Sequence, residues 1–385
     1  MDKCLFLAEL TDGKGNYIEL ELPASDYELL DALERLGAEP VGHPDCTVIQ
    51  HHDYTFLAPL LCESKPLYEF NGLARRLAEL DPYESLSFEG LIQMEVEKKE
   101  GAITLPKLID LAYSTDCCNY APAYTDEDLG KFYAENDFLP ELGNVPDEIY
   151  KLLDFGKIGK NIREGEHGVF TPRGYVVQTS DLAQVYDTMD FRPQKPDYVF
   201  RLTLGSSDNE RTTVLELPAD PDTLNTSMAE LRVDLLEDAV IKDFDGVPLD
   251  LDLGPSWMGS LDSLNELARS VQALEEQGQL TKLKAVLHAA DCHNVEDALI
   301  FAEDIDHYIL MPTQHRAEDL GRDKLHCLLD SQTFQALYRY VDLDAYGREL
   351  LADRNGAMTP YGMVQRQDCG IIQVPEAPQD TMEMR

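Results

Sequence analysis

An internal repeat constrains this chain most, because a chain that repeats one unit builds its core twice. LELPA at Leu20 to Ala24 recurs at Leu215 to Ala219, 195 residues on. NGLARRLAEL (Asn71 to Leu80) matches NELARSVQAL (Asn265 to Leu274) at an offset of 194, and EDLG (Glu127 to Gly130) matches EDLG (Glu318 to Gly321) at 191. LLDFGKIGKNIREGEHGVFTPRGYVVQ (Leu152 to Gln178) aligns at 188 with YVDLDAYGRELLADRNGAMTPYGMVQR (Tyr340 to Arg366). There Asp154/Asp342, Gly159/Gly347, Gly168/Gly356, Thr171/Thr359, Pro172/Pro360 and Gly174/Gly362 are identical. Ordered matches whose offset only shrinks point to two tandem copies that differ by small gaps.

The first copy is expected over residues 1–178 and the second over 199–366. Residues 179–198 read as a linker, since Pro193 and Pro196 disfavour helix, and 367–385 as a flexible tail carrying Pro375 and Pro378. Asn16 to Leu22 and Thr212 to Leu217 alternate like half-buried strands, the first preceded by a turn at Gly13 and Gly15. Ser25 then opens a helix with Leu29, Leu30, Leu33 and Leu36 at helical spacing, acids in its first turn and Gly37 beyond its end. Its apolar stripe is expected in the core and its acids in water. Leu261 to Leu274 predicts an amphipathic helix, and Leu280 to Ala289 and Val295 to Ala302 shorter ones. Near each copy's end a helix stopped by Gly165 or Gly356 should lead into an extended piece through Pro172 or Pro360. The expected class is α+β: two tandem copies of one unit, each a small sheet followed by mainly helical segments.

Charge narrows the function. Lys and Arg number 32 against 73 Asp and Glu, a formal net charge of −41, while 43% hydrophobic residues supply cores. Such a chain has little with which to release counterions from phosphates, so direct nucleic-acid binding and anionic membranes are disfavoured. No stretch approaches the ~18 apolar residues of a membrane span, and MDKCLFLAEL lacks the features of a signal peptide, so a cytoplasmic protein is expected. Eight cysteines without a CxxC pair read as reduced thiols.

Motifs for chemistry are missing, and no enzyme or cofactor is expected. Carboxylate pairs are too common here to single out an acid–base site. GPSWMGS (Gly254 to Ser260) has the wrong spacing for a nucleophile elbow and reads as a loop in which Trp257 packs locally. GKIGKNIREGEHG (Gly156 to Gly168) fits neither phosphate-binding glycine pattern. His51-His52, His288 with Cys292-His293, and His326-Cys327 lack zinc-site spacing, and DFDG (Asp243 to Gly246) reaches its glycine too soon for a calcium loop. Vicinal Cys117-Cys118 shows no setting that would lower a thiol pKa.

The acids fall about evenly on both copies, so the charge is spread along a folded body. Duplex DNA carries two charges per base pair, and 41 net charges correspond to about 20 base pairs. VIKDFDGVPLDLDLGPSWMGSLDSLNELARSVQAL (Val240 to Leu274) and YVDLDAYGRELLADRNG (Tyr340 to Gly356) resemble the ArdA antirestriction proteins, with Asp342, Asp344, Tyr346, Gly347 and Glu349 in matching places. The first copy is a more divergent relative: IQHHDY (Ile49 to Tyr54) stands where IKDFDG stands, and Lys157 and Lys160 add positive charge.

The resemblance implies an elongated modular unit and a dimeric mimic of bent B-form DNA that blocks type I restriction-modification enzymes and protects DNA arriving on mobile elements. Its partner would be such an enzyme or another DNA-binding protein, and the tandem would act as a homodimer or as a single-chain pseudo-dimer. The candidate mimic acids in the second copy are Glu237, Asp238, Asp243, Asp245, Asp250, Asp252, Glu275, Glu276, Glu318, Asp319, Asp342, Asp344, Glu349 and Asp353. In the first copy they are Asp26, Glu28, Asp31, Glu34, Glu79, Asp81, Asp126, Glu127 and Asp128. Two other readings stand beside this one: an acidic adaptor for another basic protein or an inhibitor of a different DNA-binding defence system, and a carboxylate-dependent hydrolase with a deep pocket.

Overall fold

Strands β1 (Phe6–Thr11) and β2 (Tyr17–Leu22) pair antiparallel, with Phe6 opposite Leu22 and Thr11 opposite Tyr17, where the alternating sequence calls for a half-buried hairpin. This computed structural model describes residues 4–11, 17–37, 42, 44–98, 101–142, 145–206, 211–233, 239–253, 257 and 259–374. The Gly13–Gly15 turn, Glu237, Asp238 and the tail beyond Val374 lie outside the described residues. After β2 come α1 (Asp26–Leu36), β3 (Asp45–His51), β4 (Lys65–Pro66), α2 (Leu67–Glu79), α3 (Pro82–Lys98) and α4 (Leu105–Ala112). Then follow β5 (Cys118–Ala121), α5 (Asp126–Glu135), α6 (Asp147–Tyr150), α7 (Phe155–Glu166), β6 (Val169–Thr171) and β7 (Gly174–Gln178).

Apart from β4, the described second half runs through the same order: β8 (Phe200–Gly205), β9 (Thr212–Leu217), α8 (Pro221–Leu231), β10 (Val240–Gly246), α9 (Leu261–Glu276), α10 (Leu280–Ala289) and α11 (Val295–Glu303). It ends with β11 (Tyr308–Met311), α12 (Ala317–Leu328), α13 (Ser331–Leu337), α14 (Leu343–Asp353), β12 (Ala357–Thr359) and β13 (Gly362–Arg366). The molecule is α+β, with small antiparallel sheets followed by helices. Sheet orders correspond as well: β2-β1-β3-β4 with β9-β8-β10, and β5-β7-β6 with β11-β13-β12. Both opening sheets carry a register shift, beside Leu7/Ala8 and between Ile241 and Asp243, which leaves Ile49 and Lys242 as the extra residues.

Side chains explain the repeated motifs. In the first half Asn71 closes a two-way clasp on Ala24: the Ala24 N–H donates to Oδ1 at 2.7 Å, and Nδ2 donates to the Ala24 carbonyl at 3.0 Å. Asn265 does the same to Ala219 at 2.8 and 3.0 Å, and Arg75 donates two further bonds and Arg269 one to the clasped carbonyls. Both asparagines are buried, so these bonds also satisfy amides that would otherwise cost free energy. The LELPA and N-x-LAR matches therefore encode one joint made twice. The TPxG matches encode a hairpin turn: Thr171 and Thr359 hydroxyls donate to the carbonyls of Gly174 and Gly362 at 3.0 and 2.7 Å. Those glycines sit at φ 148° and 115°, where a side chain is strained.

One expectation about helix ends needs correcting. Gly165 lies inside α7, and the helix stops at His167 in the left-handed conformation, φ 56°. In α14 the corresponding turn is made by Asn355, φ 48°, one residue before Gly356. A left-handed residue directs the next amide back to the last carbonyls, and neither glycine was needed for that. The pieces that follow through Pro172 and Pro360 are β-hairpins, β6–β7 and β12–β13.

By contacts the described residues form two units, one within Asp2–Ala24 and Leu36–Pro193, the other within Ser25–Arg35 and Gln194–Arg385. Helix α1, early in the sequence, thus packs in the unit built mainly from the second half. Ser25 and Glu28 begin it with a reciprocal capping box at 2.7 and 3.3 Å. Tyr27 joins the core of Phe200, Leu202, Leu215, Leu264 and Phe301, and its hydroxyl donates to the Tyr198 carbonyl.

Candidate partner-binding surface

Nine of the candidate acids sit on, or cap, two helical pairs whose backbones touch. A Cβ on Gly347 would lie 1.7 Å from the Ala317 carbonyl oxygen, and one on Gly321 2.2 Å from that of Leu343, so α12 and α14 cross where only glycine fits. The first half repeats this: Gly159 meets the Asp126 carbonyl at 1.7 Å and Gly130 that of Phe155 at 2.1 Å, between α5 and α7. The glycine of EDLG and Gly159/Gly347 are matched in sequence for this reason.

Each crossing presents acids near helix N-termini, where the helix dipole favours negative charge. Glu318 and Asp319 open α12 and share Arg322, which lies 3.4 Å from Asp319. Asp342 caps α14 by accepting from the Ala345 amide at 3.0 Å, and Asp344 pairs with Arg348. Glu349 and Asp353 lie further along, exposed and without an ion pair among the described residues. In α5, Asp126 holds Arg163 through two bonds of 2.8 and 3.2 Å, and this pairing keeps the Asp126 carboxyl below its ordinary pKa. Glu127 pairs with Lys131 at 2.6 Å, while the Asp128 carboxylate accepts from the Thr125 hydroxyl at 2.8 Å, which lowers its pKa as well. Lys157 and Lys160 are tied to Asp154 and Glu164 at 3.3 and 3.8 Å.

Of the remaining candidates, Glu28, Glu79, Asp81, Asp243, Asp250, Asp252 and Glu276 are exposed. Asp26 is half-buried and accepts from the Gln194 amide at 3.1 Å. Asp245 accepts from the Tyr198 hydroxyl, and Glu275 pairs with Lys195 at 2.8 Å.

Asp31 is not a surface acid, although water was expected on that side of its helix. It is 6% exposed and meets the equally buried Lys284 at 2.7 Å, while the Tyr361 hydroxyl donates to it at 3.0 Å. Glu34 takes a second bond from Lys284 at 2.8 Å and accepts from the Thr281 hydroxyl. Burial works against the Lys284 charge, yet Asp31 and Glu34 hold its pKa above the ordinary value. A lysine inside the apolar run Leu283 to Leu287 was the sequence signal for a buried partner.

A cleft of about 190 Å³ beside this network is lined by Asp31, Arg35, Asp250, Lys284, His288 and Tyr361, with Pro248, Leu249 and Pro360. It is smaller than the ~300 Å³ and upward of ordinary small-molecule sites, and its deepest carboxylate is already engaged. Among the described residues no group of three or more His, Cys, Asp or Glu is placed to hold a metal ion. All eight cysteines are free, and no helix among the described residues is long and apolar enough to cross a membrane.

Fold and surface together define an α+β protein whose helical pairs carry paired and unpaired carboxylates on two similarly built halves. Residues 210–365 match the family model described as Antirestriction protein (ArdA), so this part of the chain belongs to the ArdA antirestriction family. No match is found among curated proteins.

Proposed function

We propose that this protein is a non-enzymatic antirestriction factor that imitates DNA charge and occupies the DNA-binding groove of a type I restriction-modification enzyme, so protecting incoming mobile DNA in the cytoplasm. The family match over residues 210–365 carries the reading. The surface supports it: Asp250, Asp252, Glu276, Asp342, Glu349 and Asp353 are exposed carboxylates on one folded unit. The first half, with the same order of elements apart from β4 and the same glycine crossing, would act as a second module of the same kind. One chain would then supply what two shorter chains supply in a dimer, and light scattering should return the mass of a single chain.

Mimicry works by charge competition. A basic groove that binds a duplex releases the counterions of the phosphates it covers, and carboxylates on a folded scaffold exploit the same groove without bases to cut or methylate. The long-range field of a −41 chain also speeds encounter. The test is a titration of the protein into a type I restriction-modification enzyme bound to labelled duplex. Displacement that weakens as salt rises, without binding of the duplex by this protein, is the expected result. No displacement would leave an adaptor for another basic protein, or an inhibitor of a different defence system, as the better account.

A further inference from the structure

We propose that the stacked pair Tyr83 and Tyr120 is a docking point for arginine side chains of the basic partner, an inference that rests on the function proposed above. The rings lie 4.9 Å apart at 25° to one another, and the two residues are 58% and 46% exposed. Among the described residues no cation of this chain lies over either ring. Arg76 is held by Glu84 at 2.9 Å and sits over Tyr113 instead, and the Arg173 guanidinium, which reaches α3, is held by Glu89 at 3.0 Å and Ser85 at 3.3 Å.

The chemistry of the rim selects the occupant. Tyr83 stands in the first turn of α3, where Asp81 accepts from the amides of Tyr83 and Glu84 at 2.7 and 2.8 Å. Tyr120 lies on β5, four residues after the exposed Asp116, and the Thr115 hydroxyl donates to Glu84 at 3.3 Å. Asp81 and Glu84 therefore flank Tyr83 in the first turn of α3 and Asp116 stands just ahead of β5, and these acids repel a phosphate while attracting a cation. Guanidinium is the cation that also stacks flat on an aromatic face, whereas ammonium acts as a compact, strongly hydrated charge. The fold itself does not demand this pair. At the register position of Tyr120 the second half has Leu310, each standing third in its strand and facing Val176 or Val364.

The test compares the wild type with Y83L/Y120L, which keeps apolar bulk but loses the ring faces, and with Y83F/Y120F, which keeps them. Ring resonances of Tyr83 and Tyr120, assigned from the single Phe variants, are followed by NMR while octa-arginine or octa-lysine is added at matched ionic strength. The rings should shift more for arginine than for lysine. In the duplex-displacement assay Y83L/Y120L should need about three- to tenfold more protein, with Y83F/Y120F near wild type. Equal ring shifts for the two peptides overturn the proposal, as does a Leu variant that displaces DNA as well as the wild type. A wild type that displaces no DNA at all refutes the antirestriction reading instead, and the peptide titration still decides whether the rings prefer arginine.

Discussion

Replacing Lys284 with Met should destabilise the unit that contains it by about 3–5 kcal/mol, because Asp31 and Glu34 would lose the cation that bridges them, leaving Asp31 only Arg35 at 3.9 Å among the described cations. The measurement is urea denaturation followed through Trp257, the chain's single tryptophan, which lies in the same unit. Replacing Lys284, Asp31 and Glu34 together with apolar residues of similar volume should cost much less, since no buried charge is then left unpaired. The pKa of Lys284 is raised, so its contribution is complete below the unfolded value near 10.4 and is lost only as pH climbs through the higher folded value. Asp126 has the opposite sign. Its carboxyl is held low by Arg163, so its contribution is present above the unfolded value near 3.9 and disappears as pH falls through the lower folded one. Carboxyl NMR titration of Asp126 should show the depressed midpoint, and in Arg163→Met that midpoint should return towards the ordinary value.

At the scale of elements, the glycine crossings hold the acid-bearing helices together. Gly347→Ala would push a methyl into the Ala317 carbonyl and should cost about 1–3 kcal/mol, with hydrogen exchange accelerated in α12 and α14. Gly165→Ala is the contrast: nothing lies within 4 Å of its added Cβ inside α7, so about 0.5–1 kcal/mol of stabilisation is expected. A loss of stability there would contradict the packing described. Much of this layer was legible in sequence, because the repeated LELPA, N-x-LAR, EDLG and TPxG motifs are the residues of the clasp, the crossing and the hairpin turn. The destination of α1 was not. Its leucines predict a buried face, but spacing carries no information about which unit covers that face, and Asp31 finds Lys284 only through tertiary packing. Nor did charge counting separate acids held in caps and ion pairs, such as Asp342 and Glu127, from those left free to face a partner, such as Glu349 and Asp353.

For the whole molecule, the charge of −41 has two consequences of opposite sign in salt. Repulsion among carboxylates weakens the folded state at low ionic strength, so thermal stability should rise between about 0.01 and 0.15 M salt as the Debye length shrinks from ~30 to ~8 Å. Partner binding should weaken over the same interval. The most direct test is therefore the dissociation constant of this protein from a type I restriction-modification enzyme, measured across that range beside the enzyme's own duplex. DNA mimicry predicts that both affinities fall together on a log–log plot against salt, and that duplex and protein exclude one another. Binding that ignores salt, or that leaves the duplex in place, would contradict DNA mimicry.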